Sequence, residues 1–433
     1  MIGMPRRFLR LLTRRHVAGP AWWSLVSRLP VYLMSLAMVL VVREQGGSYA
    51  QAGLVSALYT LGMAVGSPLV ARRVDRGGRR AVLVTTGLVY PLALAVLVRF
   101  TGPAEPAQLA LALLAGAALP PANACMRSLW ARLPLADDER ELAYLWEALL
   151  TELLVICAPL MLAALMLTGS AGLGLTTVAV IGGVGALGLG LTRLPAGVSG
   201  EGGRGGAGAG SGGRGGGGAG EGREERAGQG RSARLLGPLH HPGMLALTAV
   251  MAAAAVPIGL MTLAIPAFVD THGTPGRTGL VYACWGIGSA LGALWLGRAR
   301  PERPLHQRFP RLLLLYAAGT ALPLLATSEL TLAAALALGG APIALVSATE
   351  MTLVSTLADS RLLAEAFTWA SLATVAGEAV GQQTGGLLVE PLGPHGVFAV
   401  AVCVALATAL AAFACRGWLA APAVTAPVGA PVT

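Results

Sequence analysis

The sequence predicts an all-α polytopic membrane protein with twelve spanning helices in two parallel six-helix repeats. Three observations predict it. Apolar residues make up 55% of the 433 residues and charged residues only 12%, for a mean hydropathy of +0.68. A soluble chain carries roughly a quarter charged residues. Apolar runs long enough to cross a bilayer, about 20 residues each, recur along the chain. The third observation is a correspondence between the two halves at one fixed offset. Together these exclude a soluble globular enzyme and disorder along the whole length. The short alternating strands of a membrane barrel are absent from the pattern.

The spans fall at 21–42, 51–71, 80–99, 107–130, 142–167, 171–191, 244–268, 277–297, 310–327, 329–357, 362–388 and 395–416. A basic stretch, Met4 to Arg15, precedes span 1. The apolar run that follows is long and lacks a nearby A-x-A site, so it reads as an uncleaved helix. The domain organisation follows: a basic arm 1–20, a bundle 21–192, a linker 193–240, a second bundle 241–416 and a tail 417–433. Residues 197–231 are dominated by glycine, cannot bury a core and read as a flexible tether.

All basic residues are Arg, 31 of them, and the net charge is +10. A nucleic-acid surface would gather them on one soluble face. Here they fall between apolar runs, 27 of them on one side of the bilayer. Only Arg43, Arg99 and Arg277 fall on the other side, and Arg28 lies inside span 1. The positive-inside rule therefore places both termini in the cytoplasm. The expected setting is the bacterial plasma membrane, with the lipid bilayer as partner, no nucleic acid, and a monomer. Cys125, Cys157, Cys284, Cys403 and Cys415 all sit in apolar stretches without a C-x-x-C pair, so no disulfide framework or metal site is supported.

An offset of 226 residues aligns Gly53-Leu54-Val55 with Gly279-Leu280-Val281, Tyr59 with Trp285, and Arg72 with Arg298. Gly62 and Gly66 align with Gly288 and Gly292, and Glu152 with Glu378. Both copies begin on the same side, the parallel repeat of a large transporter class. Small residues permit close helix approach in lipid. Gly377, Gly381 and Gly385 form such a row in span 11. Rows in spans 2 and 11, and in 5 and 8, are expected to form the surfaces along which two bundles rock. Packing within each half is the other reading.

Residues 71–80, ARRVDRGGRR, carry Asp75, Arg76, Gly78, Arg79 and Arg80. This resembles the major facilitator superfamily signature G-x-x-x-D-R-x-G-R-R, with Ala71 in place of its first Gly. Segments 27–59, 152–159 and 365–369 resemble an actinobacterial efflux-type permease branch, with Ala158-Pro159 where that branch has Gly-Pro. The resemblance implies the two-bundle fold of that superfamily and a cytoplasmic gate latch at residues 71–80. The second copy retains only Gly297, Arg298, Pro301 and Glu302, a degraded latch.

Charge inside a span costs ~2.5–3.5 kcal/mol on insertion scales and usually faces a cavity or partner. The candidates are Arg28, Glu147, Glu152 and Glu378. Glu147 and Glu152 are about 140° apart around a helix, so they do not share a face. Glu152 and Glu378, equivalent in the repeat, are expected proton carriers. Each could instead tie off an arginine or a backbone group. Arg28 is read as a counter-ion, an anion ligand or a side chain reaching the surface. Gln382 and Gln383 place polar groups deep in span 11, facing a cavity. Glu350 and Arg127 are expected to be paired at the cytoplasmic helix ends. Tyr59, Trp146, Trp285 and Trp369 are candidate substrate contacts, with lipid-facing packing as the alternative. Trp22, Trp23, Trp130 and Trp418 fit an interfacial belt.

No G-x-x-x-x-G-K-S/T phosphate loop, metal set or Ser-His-Asp set is visible, so neither catalysis nor a cofactor is expected. The expected function is secondary transport of a small solute by alternating access, proton-coupled and directed outward. A transport-inactive sensor or scaffold, and a proton-independent uniporter or uptake permease, are the alternatives.

Overall fold

The computed structural model describes residues 15–103, 105–133, 169–192, 237–272, 275–296, 304–358 and 362–420, with parts of 139–165. Every regular element among the described residues is helical. The N-terminal half contains α1 (Arg15–Arg28), α2 (Met34–Glu44), α3 (Tyr49–Gly77), α4 (Arg79–Phe100), α5 (Pro106–Ala117), α6 (Ala122–Arg132) and α7 (Ala171–Leu191). The C-terminal half contains α8 (Pro242–His272), α9 (Thr278–Leu296), α10 (Leu305–Ala321), α11 (Glu329–Gly339), α12 (Ile343–Leu357) and α13 (Leu363–Ala414). These positions fit the twelve-span arrangement. Among the described residues, seven helices or helix stretches are long and apolar enough to cross a membrane, and one bent pair adds an eighth span. For orientation, the end of the molecule where α7 finishes and α8 begins is the linker face, and the opposite end is the far face.

The helix starts follow local chemistry. Ser48 accepts from the Gln51 amide while the Gln51 side chain accepts from the Ser48 N–H, a reciprocal cap on α3. Ser170 caps α7, and Ser328 caps α11 with Thr331. Gly78, at φ +84°, takes the left-handed turn between α3 and α4 that a side chain would disfavour.

Several expected spans are broken. Span 1 divides at a 3₁₀ turn, Leu29–Tyr32, with a bend of 50° between its limbs. Pro30 lacks an N–H to continue the ladder, and its ring seats on Gly182 of α7. Span 4 divides at Pro120 and Pro121 into α5 and α6, and span 10 divides at Gly340–Pro342. Span 9 starts five residues earlier than expected, at Leu305. Spans 11 and 12 run together as one 52-residue element, bent at Gly393 (φ 68°).

Among the described residues the packed interior has three parts. One apolar core is common to both halves. It joins Leu33 and Met34–Val42 of α2 and Tyr49–Tyr59 of α3 to Leu260–Val269 of α8 and Val389–Ala401 of α13, all towards the far face. The other two lie towards the linker face and are separate. One belongs to the N-terminal half, around Met126 and Trp130, and the other to the C-terminal half, around Phe309 and Leu353. The halves therefore merge at one end and keep independent interiors at the other.

The expected small-residue rows pack mainly inside the halves. A Cβ on Gly62 or Gly66 would meet the α5 backbone at Leu113 or Ala117 within 2.4 Å. Gly288 and Gly292 press likewise on Ala337 and Ala341, within 2.1 Å. Gly377 and Gly381 press on Ala252 and Val256 of α8, also within 2.1 Å, and Gly385 lies against Leu260. Spans 2 and 11 do meet, as expected, but these glycines do not make that contact: they pack within each half, and span 5 lies largely outside the described residues. The close crossing between halves is made by Gly53 and Gly386 instead. A Cβ on Gly53 would lie 2.5 Å from the Gln382 carbonyl oxygen, and one on Gly386 2.4 Å from that of Tyr49.

Candidate functional site

Among the described residues, two polar clusters lie inside the helical body and a third sits at its far-face end. The first belongs to the N-terminal half. Arg28, at the end of α1, is 1% exposed and forms an ion pair with Glu147, which is 12% exposed. Trp130 donates from its indole N–H to the other Glu147 oxygen at 3.0 Å. Arg28 thus reaches a carboxylate rather than the membrane surface. Trp130 is fully buried, not interfacial, because its indole N–H finds that carboxylate inside the bundle. Trp22 and Trp418 are exposed, at 61% and 60%. Trp23 lies partly buried under Gly188. The hydroxyls of Ser24, one turn before Arg28, and of Ser27, next to it, are buried without a hydrogen-bond partner among the described residues.

The second cluster crosses between the halves. Thr60 of α3 donates its hydroxyl to the Gln382 side-chain oxygen at 3.0 Å, and the Gln382 amide donates to Glu378 at 3.1 Å. Gln382 is fully buried and Thr60 is 1% exposed. The α13 helix places Glu378 and Gln382 one turn apart on one face, and the Gly53–Gly386 crossing brings α3 near enough for Thr60 to reach them. An intramembrane carboxyl in the C-terminal half is therefore tied, through one amide, to a hydroxyl in the N-terminal half.

The third cluster closes the far face. Tyr49 of α3 donates its phenol to Asp270 of α8, and its backbone N–H to Glu390 of α13 at 3.2 Å. The Arg43 guanidinium stacks over the Tyr49 ring at 4.1 Å, donates to the Gly47 carbonyl at 2.8 Å, and approaches Asp270 at 3.7 Å. Two cationic or donor groups of one half thus grip two carboxylates of the other.

The remaining candidates are dispersed. Tyr59 is 2% exposed, its hydroxyl 3.4 Å from that of Tyr90, so it is core rather than cavity wall. Trp285 is partly buried and edge-on to Tyr282, at 5.5 Å between centroids. Trp369 is partly buried, 13 residues before Gln382 on α13. Gln383 has a buried side-chain oxygen without a partner among the described residues. Glu350 is 6% exposed in α12. In the signature loop, Arg79 donates to the Thr192 carbonyl at 3.4 Å and Arg80 is exposed. Glu152, Trp146 and the side chains of Asp75, Arg76 and Arg127 lie outside the described residues.

Sequence reasoning missed Tyr49, Asp270, Glu390 and Thr60, and counted Arg43 only as an orientation charge. Asp270 and Glu390 close their spans on the face with few arginines, and two acids placed there were the available signal.

The family model for the Major Facilitator Superfamily matches residues 23–313. The chain belongs to that superfamily. No curated protein sequence matches it significantly. Among solved structures, the superfamily fold recurs in the nucleoside transporter NupG, with a TM-score of 0.68 at 13% identity, covering 92% of this chain and 98% of that one. A peptide transporter POT in complex with sulfate gives a TM-score of 0.67 at 14% identity, covering 93% and 94%. A POT family transporter in complex with a thioalcohol-conjugated peptide gives 0.67 at 13%, covering 93% and 96%. At these identities the likeness concerns the fold. The superfamily is one of transporters, so this chain is a multi-pass membrane transporter and not an enzyme.

Proposed function

We propose that the chain is a proton-coupled secondary transporter that exports a small, partly apolar solute by alternating access between its two halves. The observation that carries this reading is the Thr60–Gln382–Glu378 chain across the interface of the halves. Gain or loss of a proton at Glu378 changes whether it accepts or donates toward Gln382. It thereby changes the link that α3 and α13 share. A charge change at the interface of two rocking bundles is the physical requirement for coupling. The Arg28–Glu147 pair is read as a fixed electrostatic element of the N-terminal half. The polar group of the solute is assigned to the region between the halves, near Gln382 and Gln383, with Trp285 and Trp369 as candidate aromatic contacts. Glu152 is retained as a second candidate carrier on its repeat position.

The common core at the far face and the separate cores at the linker face support a state closed at the far end. With the linker face cytoplasmic, as the arginine distribution predicts, that state opens inward. The export direction and the plasma-membrane location rest on the resemblance to efflux-type permeases. Asp75 through Arg80 are assigned as the latch that closes the cytoplasmic face in the opposite state. The chain is taken as a monomer.

Purified protein in sealed vesicles tests the coupling. A pH gradient should drive accumulation of a transported amphipathic solute, and solute addition should move protons, read with an internal pH dye. Glu378→Gln should remove gradient-driven accumulation while leaving solute exchange at equal pH. Full gradient-driven accumulation by Glu378→Gln would show that Glu378 is not the carrier.

A further inference from the structure

At the linker face, the start of α10 and the end of α13 enclose a cavity of about 370 Å³. His306, Gln307 and Arg311 line it from α10, and Arg416 from the turn after α13. Pro310 and Phe413 form an apolar part of the wall. Among the described residues no carboxylate lines the cavity and neither arginine makes an ion pair. The α10 start carries no acidic residue in its first turn, so the positive end of its dipole adds to the two guanidinium groups. Both arginines are exposed.

We propose that this cavity binds the phosphate of an anionic phospholipid headgroup in the leaflet at the linker face. Charge complementarity selects the headgroup. Paired guanidinium groups match phosphate oxygens with directed donors, and the Gln307 amide supplies another. The surroundings select a lipid over free phosphate. From Arg311 the α10 surface continues towards mid-membrane with Leu314 and Leu315, 38% and 44% exposed. From Arg416 the α13 surface continues through Phe413 to Leu410 and Leu406, 64% and 42% exposed. These residues give acyl chains an apolar bed directly below the charged site. Trp418, 60% exposed two residues beyond Arg416, marks headgroup level. A lipid held there bridges α10 and α13 at the face where the C-terminal half has its own core, bracing that half without touching the interface of the halves.

The test uses the full-length protein purified in detergent and titrated with phosphatidylglycerol, phosphatidylcholine or inorganic phosphate. Bound lipid is counted by native mass spectrometry, and thermal unfolding is followed in parallel. The expected result is that phosphatidylglycerol remains bound and raises Tm, while phosphatidylcholine, whose choline cation offsets the charge of the same phosphate and is repelled by the two guanidinium groups, binds at least about tenfold more weakly. Arg311→Gln with Arg416→Gln should lose that preference while unfolding, without lipid, near the wild-type temperature. Arg311→Lys with Arg416→Lys should retain most of it, which separates charge recognition from a folding defect. Equal binding of the two lipids, or undiminished phosphatidylglycerol preference in the Gln pair, overturns the proposal. Displacement of phosphatidylglycerol by millimolar inorganic phosphate also overturns it, because the site would then recognise a free anion.

Discussion

The Arg28–Glu147 pair is an ion pair buried inside the N-terminal half. Two ions withdrawn from water repay their desolvation only when both are present, and removing one typically costs about 3–5 kcal/mol. Glu147→Ala should therefore lower the unfolding temperature strongly, because Arg28 at 1% exposure has no route to water. Arg28→Met combined with Glu147→Leu should restore most of the loss, since no buried charge remains. A double-mutant cycle in one detergent checks both statements, and additive single effects would show that the two residues act independently. Trp130→Phe should show a smaller decrease, about 1.5–3 kcal/mol, for loss of a donor to a charged acceptor. The charges themselves were visible in the sequence, because Arg and Glu inside apolar runs stand out. Their partners were not. Whether Arg28 extends to the surface or turns to a carboxylate depends on which face of the neighbouring helix is presented, and spacing along one chain does not contain that. Trp130 misled for the same reason: it sits at the end of an apolar run, where an interfacial ring and a buried donor look alike.

Elements were legible where the apolar runs were uninterrupted. Spans 2, 3, 6, 7 and 8 lie close to their expected limits because about 20 apolar residues admit little else in lipid. The breaks in spans 1, 4 and 10 arise at proline, where hydropathy stays high while the backbone ladder fails. The glycine rows were legible as close-packing surfaces, but not the helix each one meets. The α3–α13 crossing depends on two other glycines, and it yields a prediction at this scale. Gly386→Val places a side chain against the Tyr49 carbonyl, 2.4 Å from the ideal Cβ, and should force α3 and α13 apart. Ala52→Cys, at a fully buried position of the common core, then serves as a reporter in a background without the five native cysteines. A membrane-impermeant maleimide applied at the far face should leave the reporter unlabelled alone and label it when combined with Gly386→Val. Asp270→Asn should act in the same direction more weakly, because Tyr49 keeps an acceptor while Arg43 loses a charge. Unchanged labelling in both variants would mean that neither contact holds the far face shut.

At the scale of the whole molecule, the parallel repeat was legible because the glycines, the Arg pair and the Glu pair recur at a single offset. The uneven closure was not, since a repeat fixes the symmetry of two bundles and leaves their tilt to packing. The common core implies that the halves recognise each other without a covalent tether. Residues 1–192 and 241–433 expressed together as separate chains should copurify through a tag on one of them. Replacing both Leu36 and Leu260, which are buried in the common core, with Ala should reduce that yield several-fold. Recovery of only the tagged half from the unmutated pair would contradict the common core. One further consequence belongs to the reversal at Gly393, where a single non-helical residue turns the chain inside a 52-residue element. That corner has no slack, so an epitope or reporter sequence inserted there must unwind helix on both sides. An antibody approaching from that side would find a bare elbow with almost no loop to hold.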